Sequence, residues 1–340
     1  MFMNILLTGG TGYIGSHTAV VLSQLGHKVV LLDNLSNSSD AVLEKLAQIT
    51  GQRLTFVKAD MCNTQLLVST INSHGIDAVI HFAGFKAVGE SLEKPVEYYA
   101  NNVQGAISLL QAMQTQNVKT LVFSSSATVY GHPQYLPLDE NHPTLAINPY
   151  GRSKLHIEEM LNDLAISDNS WRIACLRYFN PVGAHESGLI GENPSGVPNN
   201  LMPYISQVST GQREALNVFG NDYPTSDGTG VRDYIHVMDL AEGHAAALNF
   251  LSQTFGWHAI NLGTGKGYSV LEMVQTFKKA SGREVPYKMV GRREGDAAQS
   301  YANPQKAVDL MGWSAKRSLY DMCESTWRYQ RQASGCEAAS

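Results

Sequence analysis

The first 33 residues constrain the fold of this 340-residue chain more than any other stretch. A short apolar run over 4–8 leads directly into a turn with three evenly spaced glycines, Gly9, Gly12 and Gly15. A helical pattern follows, and then a second apolar run that ends at Asp33. Glycines allow a tight turn and close backbone approach, while the start of the next helix offers free N–H donors. This order predicts a βαβ unit that binds the pyrophosphate of a dinucleotide.

Asp33 narrows the choice of dinucleotide. A carboxylate at the end of the second strand can accept hydrogen bonds from the ribose hydroxyls of the adenosine half. The same negative charge would repel a 2′-phosphate. The sequence therefore predicts NAD rather than NADP as the cofactor.

Apolar runs and helical patterns continue to alternate beyond this unit. Further strands are predicted at 54–58, 78–81, 120–123 and 171–178, and a long helix is predicted to start at Pro95. We predict an α/β fold with a Rossmann-type doubly wound parallel sheet.

The alternation breaks after residue 183, where Gly, Pro and Asn become frequent. The predicted NAD-binding domain covers 1–180 plus about 234–262, and a second domain covers 181–233 and 263–332. We expect the tail from 333 to 340 to be disordered.

Asn148 and Pro149 predict the start of another helix, since they suit the N-cap and the first helical position. Tyr150 and Lys154 then lie one turn apart on one face. A nearby cation favours the phenolate form of a tyrosine, so the two form a candidate proton-transfer pair. Ser126 ends a predicted strand at the edge where open α/β sheets bind ligands, and it can share that proton.

Composition excludes several other classes of protein. Hydrophobic residues make up 43% of the chain and charged residues 16%, which is typical of a globular protein with a large core. The net charge of −5 argues against a nucleic-acid-binding protein. The four cysteines lack disulfide or zinc spacing, so we expect no metal and a reducing compartment, the cytoplasm. No run is long enough to predict a membrane span.

Two motifs together resemble the extended short-chain dehydrogenase/reductase family. The first is the GxxGxxG spacing of Gly9, Gly12 and Gly15, and the second is the Tyr-x-x-x-Lys of Tyr150 and Lys154. Within that family the chain is most similar to the UDP-glucose 4-epimerases, on the motifs at 13–17, 86–91, 124–131, 177–184, 198–204 and 230–239.

The resemblance implies a reversible inversion at C4 of a UDP-hexose through a 4-keto sugar, with a retained NAD. Tyr150 would take the proton of the 4-hydroxyl, Lys154 would lower the pKa of Tyr150 and hold the nicotinamide ribose, and Ser126 would share the proton path. The resemblance also implies that the second domain, at 181–233 and 263–332, is a smaller C-terminal α/β substrate-binding domain. It further implies a homodimer built from two helices of each subunit, which we assign to the segments that start at Pro95 and Pro149.

The same resemblance, together with the glycine turn and the strand ends, gives candidate site residues. Asn101 is expected to brace the cofactor loop that follows the fourth strand. The candidate cofactor residues are Gly9, Gly12, Tyr13, Ile14, Gly15, Asp33, Asn34, Leu35, Ser36, Asn37, Ser38, Asp60, Met61, Phe82, Ala83, Gly84, Phe85, Lys86, Asn101, Ser126, Tyr150, Lys154 and Phe179. The candidate substrate residues are Ser126, Tyr150, Asn180, Asn200, Leu201, Asn217, Val218, Phe219, Arg232, Arg293, Asp296 and Ser300.

Four of these positions have specific expectations. The Arg232 guanidinium suits phosphate oxygens, although a solvated loop arginine is the alternative. Arg293 is a second phosphate candidate and Asp296 a ribose candidate. Ser300 stands where family members carry either a bulky or a small residue. A small residue leaves room for a 2-acetamido group, so we expect UDP-GlcNAc and UDP-GalNAc to be interconverted as well.

Two rival functions remain. A nucleotide-sugar 4,6-dehydratase of the same family would carry an Asp-Glu pair after the catalytic hydroxyl residue, but Ala127 and Thr128 stand there. A non-catalytic NAD-sensing protein would tend to lose the tyrosine or the lysine. His236 and Asp239 are interpreted as structural, and the glycine-rich stretch at 263–267 as a turn.

Overall fold

The computed structural model describes residues 2–194, 198, 200–293 and 295–334. Its strands, in chain order, are β1 (Asn4–Thr8), β2 (Lys28–Asp33), β3 (Thr55–Lys58), β4 (Ala78–His81), β5 (Thr120–Ser126), β6 (Arg172–Tyr178), β7 (Asn180–Val182), β8 (Leu216–Phe219), β9 (Val231–His236), β10 (Gly256–Leu262), β11 (Gly267–Ser269), β12 (Tyr287–Val290) and β13 (Gln299–Ser300).

Helices precede or follow nearly every strand. They are α1 (Tyr13–Gln24), α2 (Ala41–Thr50), α3 (Thr64–His74), α4 (Val88–Glu93), α5 (Pro95–Tyr99), α6 (Gly105–Thr115), α7 (Pro149–Ser167), α8 (Leu201–Ser209), α9 (Val237–Leu251), α10 (Val270–Ser281), α11 (Gln305–Met311) and α12 (Leu319–Ser334). None of the helices in the described part of the chain combines the length and the apolar character that crossing a membrane requires.

The main sheet has seven parallel strands in the order β10-β6-β5-β4-β1-β2-β3. The strand order reverses next to β1, so the carboxyl ends of β1 and β4 flank a crevice where ligands bind in such sheets. The predicted doubly wound sheet is confirmed.

Helices cover both faces of this sheet, which explains why its strands are continuously apolar. On one face α1, α2 and α9 pack on alternate strand residues such as Ile5 and Leu7. On the other face α3, α6 and α7 pack on the residues between them, such as Leu6 and Val79. The period of two along each strand sends neighbouring side chains into the two separate cores.

A second group of elements forms around β9, which pairs with β7, β11 and β13. A two-stranded sheet of β8 and β12 lies in the same part of the chain. Helices α8, α10 and α12 share an apolar core with these strands, including Ile205, Phe277 and Met322. Because β9 belongs to this group, the chain returns to the seven-stranded sheet only with α9.

Two predicted helices differ in detail. The helix expected from Pro95 runs as α5, a π-helical turn at Ala100–Gln104, and α6. A π turn inserts a residue and rotates the side chains that follow it, which a regular 3.6-residue pattern does not reveal. At the C-terminus α12 continues to Ser334, so disorder from residue 333 was wrong for 333 and 334, and 335–340 lie outside the described residues.

Candidate active site

The glycine turn joins β1 to α1 as predicted. Gly9 has a φ of +68°, and a Cβ there would lie 2.7 Å from the Ala83 backbone nitrogen. A side chain at Gly15 would collide with the Gly9 carbonyl oxygen. Gly12 caps α1 without a side-chain hydrogen bond, so the first N–H groups of the helix keep their partial positive charge. The turn is therefore shaped for a phosphate group.

Asp33 lies at the carboxyl end of β2, beside this turn. Its carboxylate accepts hydrogen bonds from the Thr11 N–H at 3.2 Å, the Leu35 N–H at 2.9 Å and the Ser38 hydroxyl at 3.0 Å. It thereby ties the glycine turn to the segment over 34–38. Asn34 donates to Asp60 at 3.0 Å. The predicted adenosine residues thus gather at one end of the crevice.

The segment 82–86 follows β4 and crosses over the glycine turn. Asn102, rather than the predicted Asn101, braces it. The Asn102 side chain accepts from the Phe85 N–H at 2.8 Å, donates to the Phe85 carbonyl at 3.1 Å and donates to Ser153 at 3.1 Å. Asn101 only donates to the Asn102 side chain, at 2.9 Å. The π turn contains both residues, so a regular helical pattern could not tell which one faces the loop.

The predicted proton-transfer group assembles where β5 meets α7. The Asn148 side chain accepts from the Gly151 N–H at 2.8 Å, which confirms the predicted N-cap. The Lys154 ammonium donates to the Ser124 carbonyl at 2.7 Å and lies 6.0 Å from the centre of the Tyr150 ring. The Ser126 hydroxyl accepts from the Thr128 hydroxyl at 3.0 Å, which fixes its position.

Burial dominates the electrostatics of this group. It raises the pKa of Tyr150 above the ordinary value, and the Ser126 hydroxyl only partly opposes this shift. Burial also lowers the pKa of Lys154 to about 8, against the opposing effect of Glu158. Burial thus opposes the charged form of both Tyr150 and Lys154.

A buried ion pair that sequence analysis did not predict lies next to this group. Glu158 accepts three hydrogen bonds from the Arg177 guanidinium and one from the Ser125 hydroxyl. The side chains of Glu158 and Arg177 are 2% and 4% exposed. Arg177 also donates to Tyr130 at 3.1 Å. Glu158 stands one turn beyond Lys154, and that i, i+4 spacing was the available signal.

Most candidate substrate residues lie on or beside the second group of strands. Ser300 pairs with Arg232 across β13 and β9. The Arg232 guanidinium donates to Asp296 at 3.3 Å, and the Arg293 guanidinium stacks 3.8 Å from the centre of the Phe219 ring. Asn217 and Val218 precede Phe219 in β8. Arg232, Asp296 and Ser300 are therefore neighbours, and Arg293 reaches β8.

Three further candidates lie between β6 and α8 in the chain. Phe179 and Asn180 follow β6, and Phe179 is buried. Asn200 caps α8, which begins at Leu201, and its side chain donates to Glu192 at 2.9 Å. Lys86, on the segment after β4, donates to the same carboxylate at 3.0 Å. Glu192, which sequence reasoning missed, thus links a candidate cofactor residue to a candidate substrate residue.

His236 and Asp239, which the sequence analysis interprets as structural, both bond to other side chains of the protein. His236 pairs with Ser325 at 2.9 Å. The Asp239 carboxylate accepts from the Arg317 N–H at 2.9 Å and from the Arg317 guanidinium. The stretch at 263–267 joins β10 to β11 as a turn.

The crevice fits a dinucleotide on the geometry of the chain itself. The glycine turn, Asp33, the segment 82–86 and Lys154 line the carboxyl ends of adjacent strands. A Cβ at Gly84 would lie 3.1 Å from the Asn102 side chain and 3.8 Å from the Lys154 ammonium, so only glycine leaves this approach open. These residues provide N–H donors for the pyrophosphate, a carboxylate for one ribose and an ammonium near the other.

Comparison with known proteins agrees with this geometry. The family model described as GDP-mannose 4,6 dehydratase matches residues 6–326. UDP-glucose 4-epimerase of Bacillus subtilis is 57% identical over 328 residues, which covers 96% of this chain and 97% of that protein.

Two crystal structures extend the similarity to the fold. UDP-glucose 4-epimerase from Stenotrophomonas maltophila, with bound NAD and formylated UDP-arabinopyranose, superposes with a TM-score of 0.97 at 51% identity over 98% of this chain and 100% of that one. The enzyme from Bifidobacterium longum, in complex with NAD⁺ and UDP, gives 0.93 at 48% identity over 97% and 98%. The chain therefore belongs to the family that the GDP-mannose 4,6 dehydratase model describes and, within it, to the UDP-glucose 4-epimerases.

Proposed function

We propose that this protein interconverts UDP-glucose and UDP-galactose by reversible oxidation at C4 of the hexose. One observation carries the proposal. Ser126, at the end of β5, and Tyr150 and Lys154, in α7, lie at the same edge of the sheet as the glycine turn and the segment 82–86. A base and a dinucleotide crevice that share one edge of the sheet suit the removal of a proton and a hydride from one carbon.

The cofactor is NAD, which, when bound, would supply the hydride acceptor and hydride donor for C4. Tyr150 removes the proton of the 4-hydroxyl and later gives it back, and Ser126 holds the hydroxyl oxygen and passes the proton. Lys154, fixed by the Ser124 carbonyl, holds the nicotinamide ribose and supports the phenolate. Asp33 accepts from the adenosine ribose, and the N–H groups of the glycine turn bind the pyrophosphate.

Inversion requires a firm hold on the UDP half and a loose hold on the sugar. Arg232 and Arg293 are proposed to bind the diphosphate, and Asp296 the uridine ribose, while Phe219 and its neighbours in β8 contact the base. The 4-keto sugar can then rotate about its bond to the diphosphate and present its other face. The hydrogen bond between Arg232 and Asp296 supports this assignment, because the guanidinium and the carboxylate already lie next to each other.

A 4,6-dehydratase reaction is not supported, although the matching family model has that description. Elimination of the 6-hydroxyl needs an acid and a base next to the catalytic hydroxyl residue. Ala127 and Thr128 follow Ser126 in a 3₁₀ turn, and neither can serve as acid or base. A purely NAD-sensing role is disfavoured because the tyrosine and the lysine are both present.

We also propose that the enzyme accepts UDP-GlcNAc and UDP-GalNAc. Ser300 pairs with Arg232, and its small side chain would leave space for a 2-acetamido group near the diphosphate end.

The same enzyme is proposed to form a homodimer through the helices that begin at Pro95 and Pro149. Leu92, near the end of α4, and Val96, in α5, are 63% and 75% exposed, which is costly for apolar side chains unless a partner covers them.

Identification of the product tests the function directly. Purified protein is incubated with UDP-galactose without added NAD, and the nucleotide sugars are separated by chromatography. We expect UDP-glucose as the product. A 6-deoxy-4-keto sugar would show a dehydratase, and unchanged UDP-galactose would contradict the proposal.

A further inference from the structure

Asp233 lies next to Arg232 in β9 and is fully buried. Its carboxylate accepts from the Thr264 N–H at 2.9 Å, the Thr264 hydroxyl at 2.6 Å, the Gly265 N–H at 3.0 Å and the Ala302 N–H at 3.1 Å. A buried charge is costly unless such donors surround it. These bonds make Asp233 the point where three separate segments of the chain meet.

The three segments belong to different parts of the fold. Thr264 and Gly265 follow β10, the edge strand of the seven-stranded sheet. Ala302 follows β13, which carries Ser300, and Asp233 itself belongs to β9. A Cβ at Gly263 would lie 2.6 Å from the Ala302 side chain and 2.7 Å from the Asp233 carboxylate. The close packing leaves these segments little freedom to shift while the carboxylate is in place.

Neighbouring side chains of a strand point to opposite sides, so Arg232 faces away from the buried carboxylate. Ser300 pairs with Arg232, and the bond to Ala302 holds the end of the same strand. The carboxylate therefore fixes where Arg232 and Ser300 stand relative to the edge of the cofactor sheet. Because Asp233 is fully buried, we expect it to act on the site through these segments.

We propose that Asp233 is a positioning residue that aligns Arg232 and the Ser300 strand with the cofactor sheet for binding of the UDP half. This inference rests on the proposed function, because it concerns the same substrate. It assigns the affinity for UDP partly to a buried carboxylate that never touches the nucleotide. Loss of that carboxylate should weaken UDP binding and leave the chemistry at C4 intact.

Asp239 is a suitable control because it is another fully buried carboxylate only six positions further along. It accepts from the backbone N–H groups of Lys316 and Arg317, at 3.1 and 2.9 Å. Asp239 thus ties α9 to the segment before α12, and among the described residues its carboxylate has no hydrogen bond to β9 or β13. A general loss of rigidity would affect both variants alike.

The experiment compares Asp233→Asn and Asp239→Asn with the wild-type enzyme as purified with its cofactor. The dissociation constant for UDP is measured by calorimetry. Steady-state assays with UDP-galactose give kcat and KM, and the NAD content is determined after denaturation. For Asp233→Asn we expect UDP affinity and KM to worsen about 10-fold, with kcat within about two-fold. NAD content should not change. Asp239→Asn should lower the melting temperature but leave UDP affinity unaltered.

A double-mutant cycle with Arg232→Ala shows whether Asp233 acts through the arginine. In that background Asp233→Asn should weaken UDP binding by less than about three-fold. Thr264→Val removes one donor and keeps the carboxylate, so it should weaken UDP binding in the same direction but less. It replaces Asp233→Asn in the comparison if that variant does not fold.

Unchanged UDP affinity in Asp233→Asn, or in Thr264→Val as its replacement, would overturn the inference. So would an equal loss of affinity in Asp239→Asn, or full additivity with Arg232→Ala. Failure of the proposed function is separate, since it would appear as an absence of UDP-glucose formation by the wild-type enzyme.

Discussion

Tyr150 illustrates the opposing effects that meet in one residue of this site. Its position four residues before Lys154 predicted a pair in which the lysine activates the phenol. Burial instead raises the pKa of Tyr150 and lowers that of Lys154, so each group by itself resists its charged form. When NAD is bound, its oxidised nicotinamide would add a positive charge beside the phenol and favour the phenolate.

Tyr150→Phe tests the assignment of the base. The variant keeps the ring and its packing but loses the hydroxyl, so NAD should stay bound while turnover of UDP-galactose falls at least about 100-fold. Tyr287→Phe is the matched control, because Tyr287 is an exposed tyrosine on β12. The measurements are steady-state turnover and the NAD content of the purified proteins. Activity near the wild-type value in Tyr150→Phe would exclude Tyr150 as the base.

Ser300 is proposed to admit the 2-acetamido group because of its size. Ser300→Tyr should reduce turnover of UDP-GalNAc at least about 10-fold and change that of UDP-galactose by less than about three-fold. Ser300→Ala keeps the residue small and should retain both activities, which separates the effect of volume from that of the hydroxyl. Equal loss of both substrates in Ser300→Tyr, or turnover of UDP-GalNAc by neither protein, would reject the proposal.

At the scale of elements, the segment 82–86 is held by a side chain from the π turn between α5 and α6. Asn102 satisfies both backbone groups of Phe85 and reaches Ser153 on α7. One amide thus connects the cofactor segment to the helix that carries Tyr150 and Lys154. The arrangement keeps the two sides of the crevice at a fixed separation.

Asn102→Ala should therefore damage cofactor binding more than Asn101→Ala. Truncation leaves the half-buried Phe85 N–H and carbonyl without these partners, at a cost of at most about 1–3 kcal/mol for each group. We expect a lower melting temperature and a lower NAD content for Asn102→Ala than for Asn101→Ala, from thermal unfolding and absorbance of the released cofactor. A lower melting temperature and a lower NAD content for Asn101→Ala than for Asn102→Ala would instead assign the bracing role to Asn101.

The elements that sequence reasoning predicted well are those with a local signal. The glycine turn, the capped start of α7 and the apolar strands are specified by residues that lie close together in the chain. Asn102 and Asp233 were missed because their roles depend on residues 17 to 69 positions away. The Glu158–Arg177 pair was missed because a charged residue in a helical pattern usually faces solvent. Long-range hydrogen bonds leave no periodicity to detect.

At the scale of the whole molecule, two exposed apolar residues, Leu92 in α4 and Val96 in α5, predict a partner surface. Replacing both Leu92 and Val96 by Glu should place charges in the proposed dimer interface and shift the protein to monomers in sedimentation velocity. Leu25→Glu is the control, since Leu25 is 54% exposed at the end of α1, away from those helices. A wild-type protein that sediments as a monomer would contradict the proposal, as would a double variant that stays dimeric.

The central claim is that the hydrogen at C4 leaves and returns within one closed site. The most direct test uses UDP-galactose with deuterium at C4 of the sugar, in ordinary water and without added cofactor. Nuclear magnetic resonance then locates the deuterium in the product. The account predicts UDP-glucose that retains the deuterium at C4. Product with ordinary hydrogen at C4 would mean exchange with solvent and would contradict it.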